Sequence, residues 1–552
     1  MRRQFSIALF SLLTAASLLA ADTQPSVAGT QRYLVATRQV VTGESVTLRN
    51  RDAEPVVITR NVRTFRELGG FVADLTAAEV TALRLSADVR YVEPVIERYA
   101  YQVTTRRIGG QAVPYGIDSV RARDAWVGTK GENVNVVVVD TGVDFQHGDL
   151  GSVYAGGTNV IDPKALPMDD NGHGTHVAGT IAAADNSFGV VGIAPKVRLW
   201  AVKVLDANGQ GSSASVVAGV DWAIARKREL GGRWILNFSL GSPRSSTFER
   251  EAFQRLADAG ILAVAATGND SSNLAAAPVG FPAGYPTVFA VGAIDSANKV
   301  ASFSNQGPEI DVVAPGVTVL STIPRGTGSI AYVSVNPSLT YIGQPLDGAK
   351  LGSISGELVF CGVGLPEEFP ARVNGRIALI QRGGDITFAL KTRRALQAGA
   401  IGVAIFNHDN STMNWTLVNS GDPADVDFPW PLVVALRKED GEALKSQRGV
   451  VELGHAVDDY GTLSGTSMAT PHVAGVAALV WSAAPSATAQ QVRDAIATTA
   501  RDLGALGFDV TYGNGVVDAL EAARTLAPSL FGSGATPQPP PGRGRGRAVG
   551  RP

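Results

Sequence analysis

From position 134 onward the chain alternates between short runs that are apolar throughout and longer stretches in which apolar residues recur every three or four positions. VNVVVVD, VRLWAVKVL, WILNFSL, ILAVAATGN and TVFAVGAI are of the first kind, SSASVVAGVDWAIARK and STFEREAFQRLADAG of the second. Runs apolar on both faces predict buried strands, and helices between them predict a parallel sheet covered on both sides, an α/β fold. Before it, over residues 30–101, YLVA, FRELGGFVADL, the helix-like TAAEVTALRLSA and VRYVEPVIE predict a small α+β unit built from two strand–helix pairings. The sheet rhythm breaks near Tyr332. Up to about His455 the strands GRIALIQRG, AIGVAIFNH and WPLVVAL surround one helix, ITFALKTRRALQAGA, which predicts an inserted β-rich domain over 332–455. The sheet pattern resumes over 456–527, with a last helix from about Thr488 to Thr499. Residues 528–552 are rich in Gly, Pro and Arg and cannot build a core, so a disordered tail is expected there.

Composition changes this picture little. The 552 residues are 45% hydrophobic and 18% charged, as several core-forming domains require, and a net charge of −2 gives no reason to expect nucleic acid or an anionic membrane as partner. A single cysteine, Cys361, excludes an intramolecular disulfide framework and a multi-cysteine metal cluster. The N-terminus adds more. Arg2 and Arg3 precede an apolar stretch from Phe5 to Leu19 and then Ala20–Ala21, the pattern of a secretory signal peptide over residues 1–21. Secretion is expected; the run is short for a membrane anchor, and no later segment reaches spanning length.

Candidate chemistry sits where strands end and small-residue helices begin. GTLSGTSMATPHVAG puts Ser467 in a Gly/Ser/Thr turn ahead of an apolar helix expected over Val473 to Val480, with Pro471 in its first turn. A helix start gathers free N–H groups and the positive end of the dipole, which favour developing negative charge. Alone, this would be an ordinary serine cap. VNVVVVDTGVD, however, ends a buried strand on Asp140, at the sheet edge where ligand sites of such folds lie, and DDNGHGTHVAGTIAA puts His173 before another small-residue helix. A nucleophile, a base and an orienting carboxylate are what acyl transfer through serine needs. A zinc peptidase built on His173 and His176 is excluded by the three-residue spacing and the absence of a glutamate between them.

DTGVD, HGTHVAGT and GTSMATPHVAG, in that order, resemble the three signature segments of subtilisin-like serine proteases, a likeness covering about 102–331 and 456–527. The resemblance implies a subtilisin-like parallel sheet with helices on both faces. Asp140 would orient the imidazole, His173 would act as general base and then acid, Ser467 as nucleophile, and Asn269 as oxyanion donor with the Ser467 N–H. His176 and His472 would pack structurally, and His147, His408 and His455 would be structural or surface residues. Ser239, Leu240 and Gly241 with Ala266, Thr267 and Gly268 would wall the primary specificity pocket, and Gly209, Gln210 and Gly211 would pair with an extended peptide. Gly280 would leave the pocket deep, which implies broad specificity with a preference for large apolar side chains before the scissile bond; Asp270 at the rim would admit a basic one. A structural Ca²⁺ would be held by side-chain oxygens of Gln111, Asp149 and Asn186 and carbonyls of Ala184, Phe188 and Val190.

Residues 22–101 resemble, more weakly, the inhibitory propeptide of these proteases, which implies self-cleavage near Tyr101–Gln102, with Arg106–Arg107 as a second candidate. The insertion resembles a protease-associated (PA) domain with a role in substrate access or protein binding, and Cys361 within it reads as a buried small residue. The expectation is a monomeric secreted serine endopeptidase that acts on proteins and peptides and is inhibited by its own propeptide. The alternative is a catalytically inactive binding protein acting through the PA domain, against which Asp140, His173, Ser467 and Asn269 all argue.

Overall fold

The computed structural model describes residues 30–49, 55–95, 97–100, 111–272, 275–336, 339–409, 416–418, 425–426 and 428–531, with backbone alone for 97–100 and 342. The expected signal peptide, both expected cleavage sites and nearly all of the 528–552 tail lie outside these residues.

Seven strands form one parallel sheet: β1 (Val134–Asp140), β2 (Tyr154–Asn159), β3 (Arg198–Lys203), β4 (Arg233–Phe238), β5 (Leu262–Ala266), β6 (Val288–Ile294) and β7 (Val312–Pro315). Their order is β7-β6-β5-β4-β1-β3-β2, so the winding reverses at β1. Alternate residues of β1 serve opposite cores. Val136 and Val138 pack with Val177 of helix α1 (His173–Ala182) and Val473 of a C-terminal helix, while Val137 and Val139 pack with Val216 of α2 (Ser213–Leu230) and Phe253 of α3 (Thr247–Asp258). The apolar pattern had given β1, β3, β4, β5 and β6. The two edge strands escaped it because YAGGTN carries two glycines and VVAP is only four residues long.

The C-terminal helix, α4, spans Thr466–Ala483, seven residues earlier at its start than the apolar run suggested. Pro471 is therefore inside the helix and not in its first turn. The carbonyl it leaves without an N–H donor is that of Ser467, and the Ser239 hydroxyl donates to it at 2.7 Å.

The N-terminal unit is an antiparallel sheet in the order Arg63–Phe65, Gly70–Leu75, Gln31–Thr37, Val89–Pro94, with one α-helix among the described residues, Ala77–Arg84. The second expected strand–helix pairing is instead the hairpin Val46–Arg49/Pro55–Ile58. This unit sits on α2 and α3: Phe65 stacks edge-on against Phe248 with centroids 5.8 Å apart, and the Glu67 N–H donates to Asp221 at 2.8 Å.

The insertion is a closed barrel in the order Gly328–Asn336, Leu339–Pro345, Val433–Leu436, Gly402–Phe406, Ile377–Gln381, Gly352–Phe360, Val450–Asp458. The expected limits of 332 and 455 fall within its outer strands, where nothing in the composition marks the change. It holds a second α-helix, Lys438–Lys445, too short and polar for its period to stand out. Beyond the barrel, helix Ala519–Leu526 and a turn at Pro528–Phe531 extend the packed chain to the start of the expected tail. Among the described residues no helix is long and apolar enough to cross a membrane.

Candidate active site

Asp140 ends β1 at the point where the winding reverses, the crevice position for ligands in open parallel sheets. It is fully buried, and its Oδ1 accepts the Thr141 N–H at 2.7 Å and lies 2.7 Å from His173 Nδ1. That bond fixes the imidazole with its proton on Nδ1, so Nε2 is the basic nitrogen. His173 is the first residue of α1, which packs on α4. The turn before α1 is held by Asp169, whose carboxylate accepts N–H groups from Asn171 (3.0 Å), Gly172 (2.9 Å) and Thr175 (2.9 Å). Gly172 has a φ of 110°, a conformation that favours glycine.

Ser467 is the second residue of α4, fully buried, and its hydroxyl donates to the Ser239 carbonyl at 2.9 Å. Asn269 follows β5 through a turn in which Gly268 has a φ of 108°. Its side-chain oxygen accepts the Thr466 N–H at 2.9 Å and the Thr466 hydroxyl at 2.8 Å, while the Gly268 N–H donates back to that hydroxyl at 3.2 Å. The Asn269 oxygen is thus fixed on Thr466, the residue directly before Ser467. Sequence reading missed Thr466, although its place directly before the serine was visible. It also missed Lys203, which ends β3 beside Asp140 and donates to the carbonyls of Thr141 (2.6 Å) and Leu205 (2.9 Å) and to Asp170 (2.7 Å).

The other histidines do different work. His176 meets the Val319 carbonyl at 2.9 Å and His472 the Met468 carbonyl at 2.8 Å; burial pushes them down to about 3 and about 4, so both are neutral. His147 bridges the Asp459 carbonyl (3.0 Å) and the Asp149 N–H (3.0 Å), His455 meets the Lys350 carbonyl (3.1 Å), and His408 is exposed beside Asp409.

Several residues expected on the substrate side flank one strand. Gln210–Ser212, next to the Gly209 turn, and Leu240–Gly241 form the two edges of a groove, and the backbone of Glu97–Ala100 lies between them in a three-stranded antiparallel sheet. Tyr99 pairs with both Gln210 and Gly241, Arg98 with Gly211, and Ala100 with Leu240. Behind the Leu240–Gly241 edge the Gly280 N–H donates to the Thr267 carbonyl at 2.8 Å, and a Cβ at Gly280 would stand 3.2 Å from the Ser242 carbonyl. Ala266 closes β5 just before Thr267. Asp270 is exposed and accepts from Asn305 at 2.9 Å.

Five of the six expected calcium ligands converge. Gln111 Nε2 donates to the Ala184 carbonyl (2.8 Å), Asn186 Oδ1 (3.2 Å) and the Val190 carbonyl (3.4 Å), and Asp149 accepts from Asn186 (2.8 Å) and from the Val190 N–H (2.9 Å). The Phe188 N–H joins through Asn186 Oδ1 at 3.2 Å; its carbonyl is not drawn into this set. An amide NH₂ surrounded by three oxygens marks a space that suits a hard cation once the amide turns its own oxygen inward.

The chain with this geometry is similar to known proteins. A family profile described as the subtilase family matches residues 131–356 and 395–515. Subtilisin E of Bacillus subtilis (strain 168) is 38% identical over 301 residues, 54% of this chain and 74% of its own. The alkaline protease of Shouchella clausii is 40% identical over 299 residues, 54% of this chain and 72% of its own. Among solved structures, a psychrophilic subtilisin-like protease from Pseudoalteromonas sp. AS-11 matches with a TM-score of 0.58 and 31% identity, covering 77% of this chain and all of that one.

Proposed function

The chain belongs to the subtilase family and is a serine endopeptidase acting on proteins, and from that premise we propose that it is a secreted enzyme made as a self-processing, self-inhibited proenzyme. The Ser467 hydroxyl turns from the Ser239 carbonyl to His173 Nε2, gives up its proton and attacks the peptide carbonyl. Asp140 stabilises the imidazolium through the 2.7 Å bond. Negative charge that appears only in the tetrahedral intermediate is met by the Asn269 NH₂ and the Ser467 N–H at the start of α4. His173 then protonates the leaving amine, and water, activated by the same imidazole, releases the acyl group. Gln111, Asp149, Ala184, Asn186, Phe188 and Val190 would hold a Ca²⁺ that braces the loop after α1 and takes no part in the chemistry.

The observation that carries the proenzyme reading is the strand Glu97–Ala100 in the groove. Ala100 pairs with Leu240, the neighbour of Ser239, whose carbonyl takes the Ser467 hydroxyl, so the described strand runs toward the nucleophile. Self-cleavage after Tyr101, the next residue along the chain, would put an aromatic side chain before the scissile bond, as the expected preference for large apolar residues asks. Cleavage there leaves the new end of residues 22–101 in the groove as an inhibitor. Arg2–Arg3 and the apolar run to Leu19 support export, and the barrel of Gly328–Asp458 supports a PA domain governing substrate access. The test is to express wild type and Ser467→Ala, each with its N-terminal unit, in calcium buffer. Wild type should release the N-terminal fragment and cleave a chromogenic peptide ending in Phe, and Ser467→Ala should do neither; processing by both would remove Ser467 from its role.

A further inference from the structure

We propose that Glu249 makes the groove selective for a basic side chain, arginine above all, at the fourth residue before the scissile bond; the inference rests on the self-cleavage reading above, which makes position 98 that residue. The groove's own occupant supplies the first observation. Its segment reads Glu97-Arg98-Tyr99-Ala100, with Arg98 paired to Gly211 and Ala100 to Leu240. Residues directly opposite share a face of a sheet, as do residues two apart. Leu240 is fully buried in the core beneath, and a Cβ on Gly211 would lie 2.5 Å from Leu205 Cδ2. Whatever peptide fills the groove, the positions opposite Gly211 and Leu240 therefore belong to the face turned toward the enzyme.

Glu249 supplies the second. It is fully buried in the first turn of α3 and linked to the groove edge without a break. Ser242, following the Leu240–Gly241 edge, exchanges backbone bonds of 3.0 and 2.8 Å with Phe281; the Phe281 ring is 4.9 Å from Tyr285; and the Tyr285 hydroxyl donates to Glu249 at 2.8 Å. A residue just upstream of the occupying strand is tied to the same helix start. The Glu93 carboxylate accepts the Thr247 and Phe248 N–H groups at 2.8 Å, and Arg98 comes five positions after Glu93, at most about 17 Å of chain.

A glutamate at this helical position would ordinarily fold back onto the N-cap N–H. Here it does not: the Ser246 N–H donates to the Tyr285 hydroxyl at 2.9 Å, and Glu249 is held from the other side of that hydroxyl. The sign of the charge matters because the start of α2 follows directly on the Gln210–Ser212 edge of the groove, whereas the start of α3 is already met by the Glu93 carboxylate. A positive helix end would repel a cation, and a buried carboxylate reverses that preference. A guanidinium matches a carboxylate in two bonds, which a lysine cannot do.

The experiment uses the self-processed enzyme and three chromogenic tetrapeptides, Xaa-Tyr-Ala-Tyr, with arginine, its neutral isostere citrulline, or leucine at the first position. Wild type should favour arginine over citrulline by about 10- to 100-fold in kcat/KM, and Glu249→Gln should bring that ratio to within about threefold while leaving the leucine peptide unaffected. A wild-type ratio near one overturns the proposal without any variant, so it does not depend on Glu249→Gln folding. An arginine preference that survives in Glu249→Gln also overturns it. Wild type cleaving none of the three peptides would instead overturn the endopeptidase reading itself.

Discussion

In the seven-stranded sheet, β1 ends on Asp140, β3 on Lys203, and β5 runs through Gly268 to Asn269; in the inserted barrel, the parallel strands Gly352–Phe360, Ile377–Gln381 and Gly402–Phe406 lead into Cys361, Arg382 and Asn407. Both regions bury parallel strands, and the barrel has its own crossover helix, Phe388–Gln397, so architecture does not separate them. The surroundings of the strand ends do. Arg382 donates to Asn407 at 2.8 Å, and the Lys391 ammonium is consumed by the carbonyls of Gly383 (2.9 Å), Gln381 (3.2 Å) and Val363. Burial pushes Lys391 down to about 8 and the Cys361 thiol up to about 12. In the sheet, two helices begin opposite the strand ends and deliver His173 and Ser467 to Asp140 and Asn269. A buried polar strand end becomes reactive when a helix start brings its complement; without one it is only satisfied.

The largest expected effect breaks the sheet side of this comparison. Asp140→Asn should keep the fold but remove the charge that orients the imidazole, lowering kcat by about 10⁴-fold, the scale of the same change in another serine protease. The matching barrel change, Lys391→Met, should leave kcat within about twofold. It strands three carbonyls, so its effect should be a loss of stability of about 1–3 kcal/mol, read from denaturant unfolding. A large kcat loss in Lys391→Met would mean that the barrel takes part in turnover. Next in size, Asn269→Leu should cost about 10²–10³ in kcat with little change in KM, a value known from the relative subtilisin. Thr466→Val, which leaves Asn269 in place but loosens its oxygen, should cost about tenfold, with steady-state kinetics on one peptide ranking the two.

Much of this site was legible beforehand because its residues sit at changes of pattern. Asp140 ends an unbroken apolar run, and His173 and Ser467 open small-residue helices. Lys203, Thr466 and Glu249 were not legible, since each acts through partners distant in sequence. Lys203 reads as the end of a strand, Thr466 as part of a turn and Glu249 as a helix-start acid until Thr141, Asn269 and Tyr285 are placed beside them. The start of α4 was misplaced for a related reason. A proline normally marks a first turn, and only the Ser239 hydroxyl, 228 positions away, makes one tolerable deeper in the helix.

The smallest effect compares two titrating sites of opposite sign, a buried pair inside the sheet domain and a half-buried group at its contact with the N-terminal unit. Burial holds His176 and His472 below their ordinary 6.5, at about 3 and about 4, so the unfolded chain takes up protons first. Their contribution to stability is complete above pH 6.5 and is lost as pH falls toward 4. Asp221 behaves oppositely. Burial under the N-terminal unit raises it from 3.8 to about 6, against the opposing pull of the Leu68 amide and of Arg63 and Arg255. Were that unit to leave, Asp221 would return toward its ordinary value, so the associated state is the one that binds the extra proton. Its hold is therefore strongest below about pH 4 and weakens as pH rises through 6. If the N-terminal unit is a self-cleaved inhibitor, as proposed, relief of inhibition should quicken several-fold between pH 5 and 7, and Asp221→Asn should abolish that step while leaving the acid unfolding midpoint where the histidines set it. A pH step that persists in Asp221→Asn would move the control to another group at this contact.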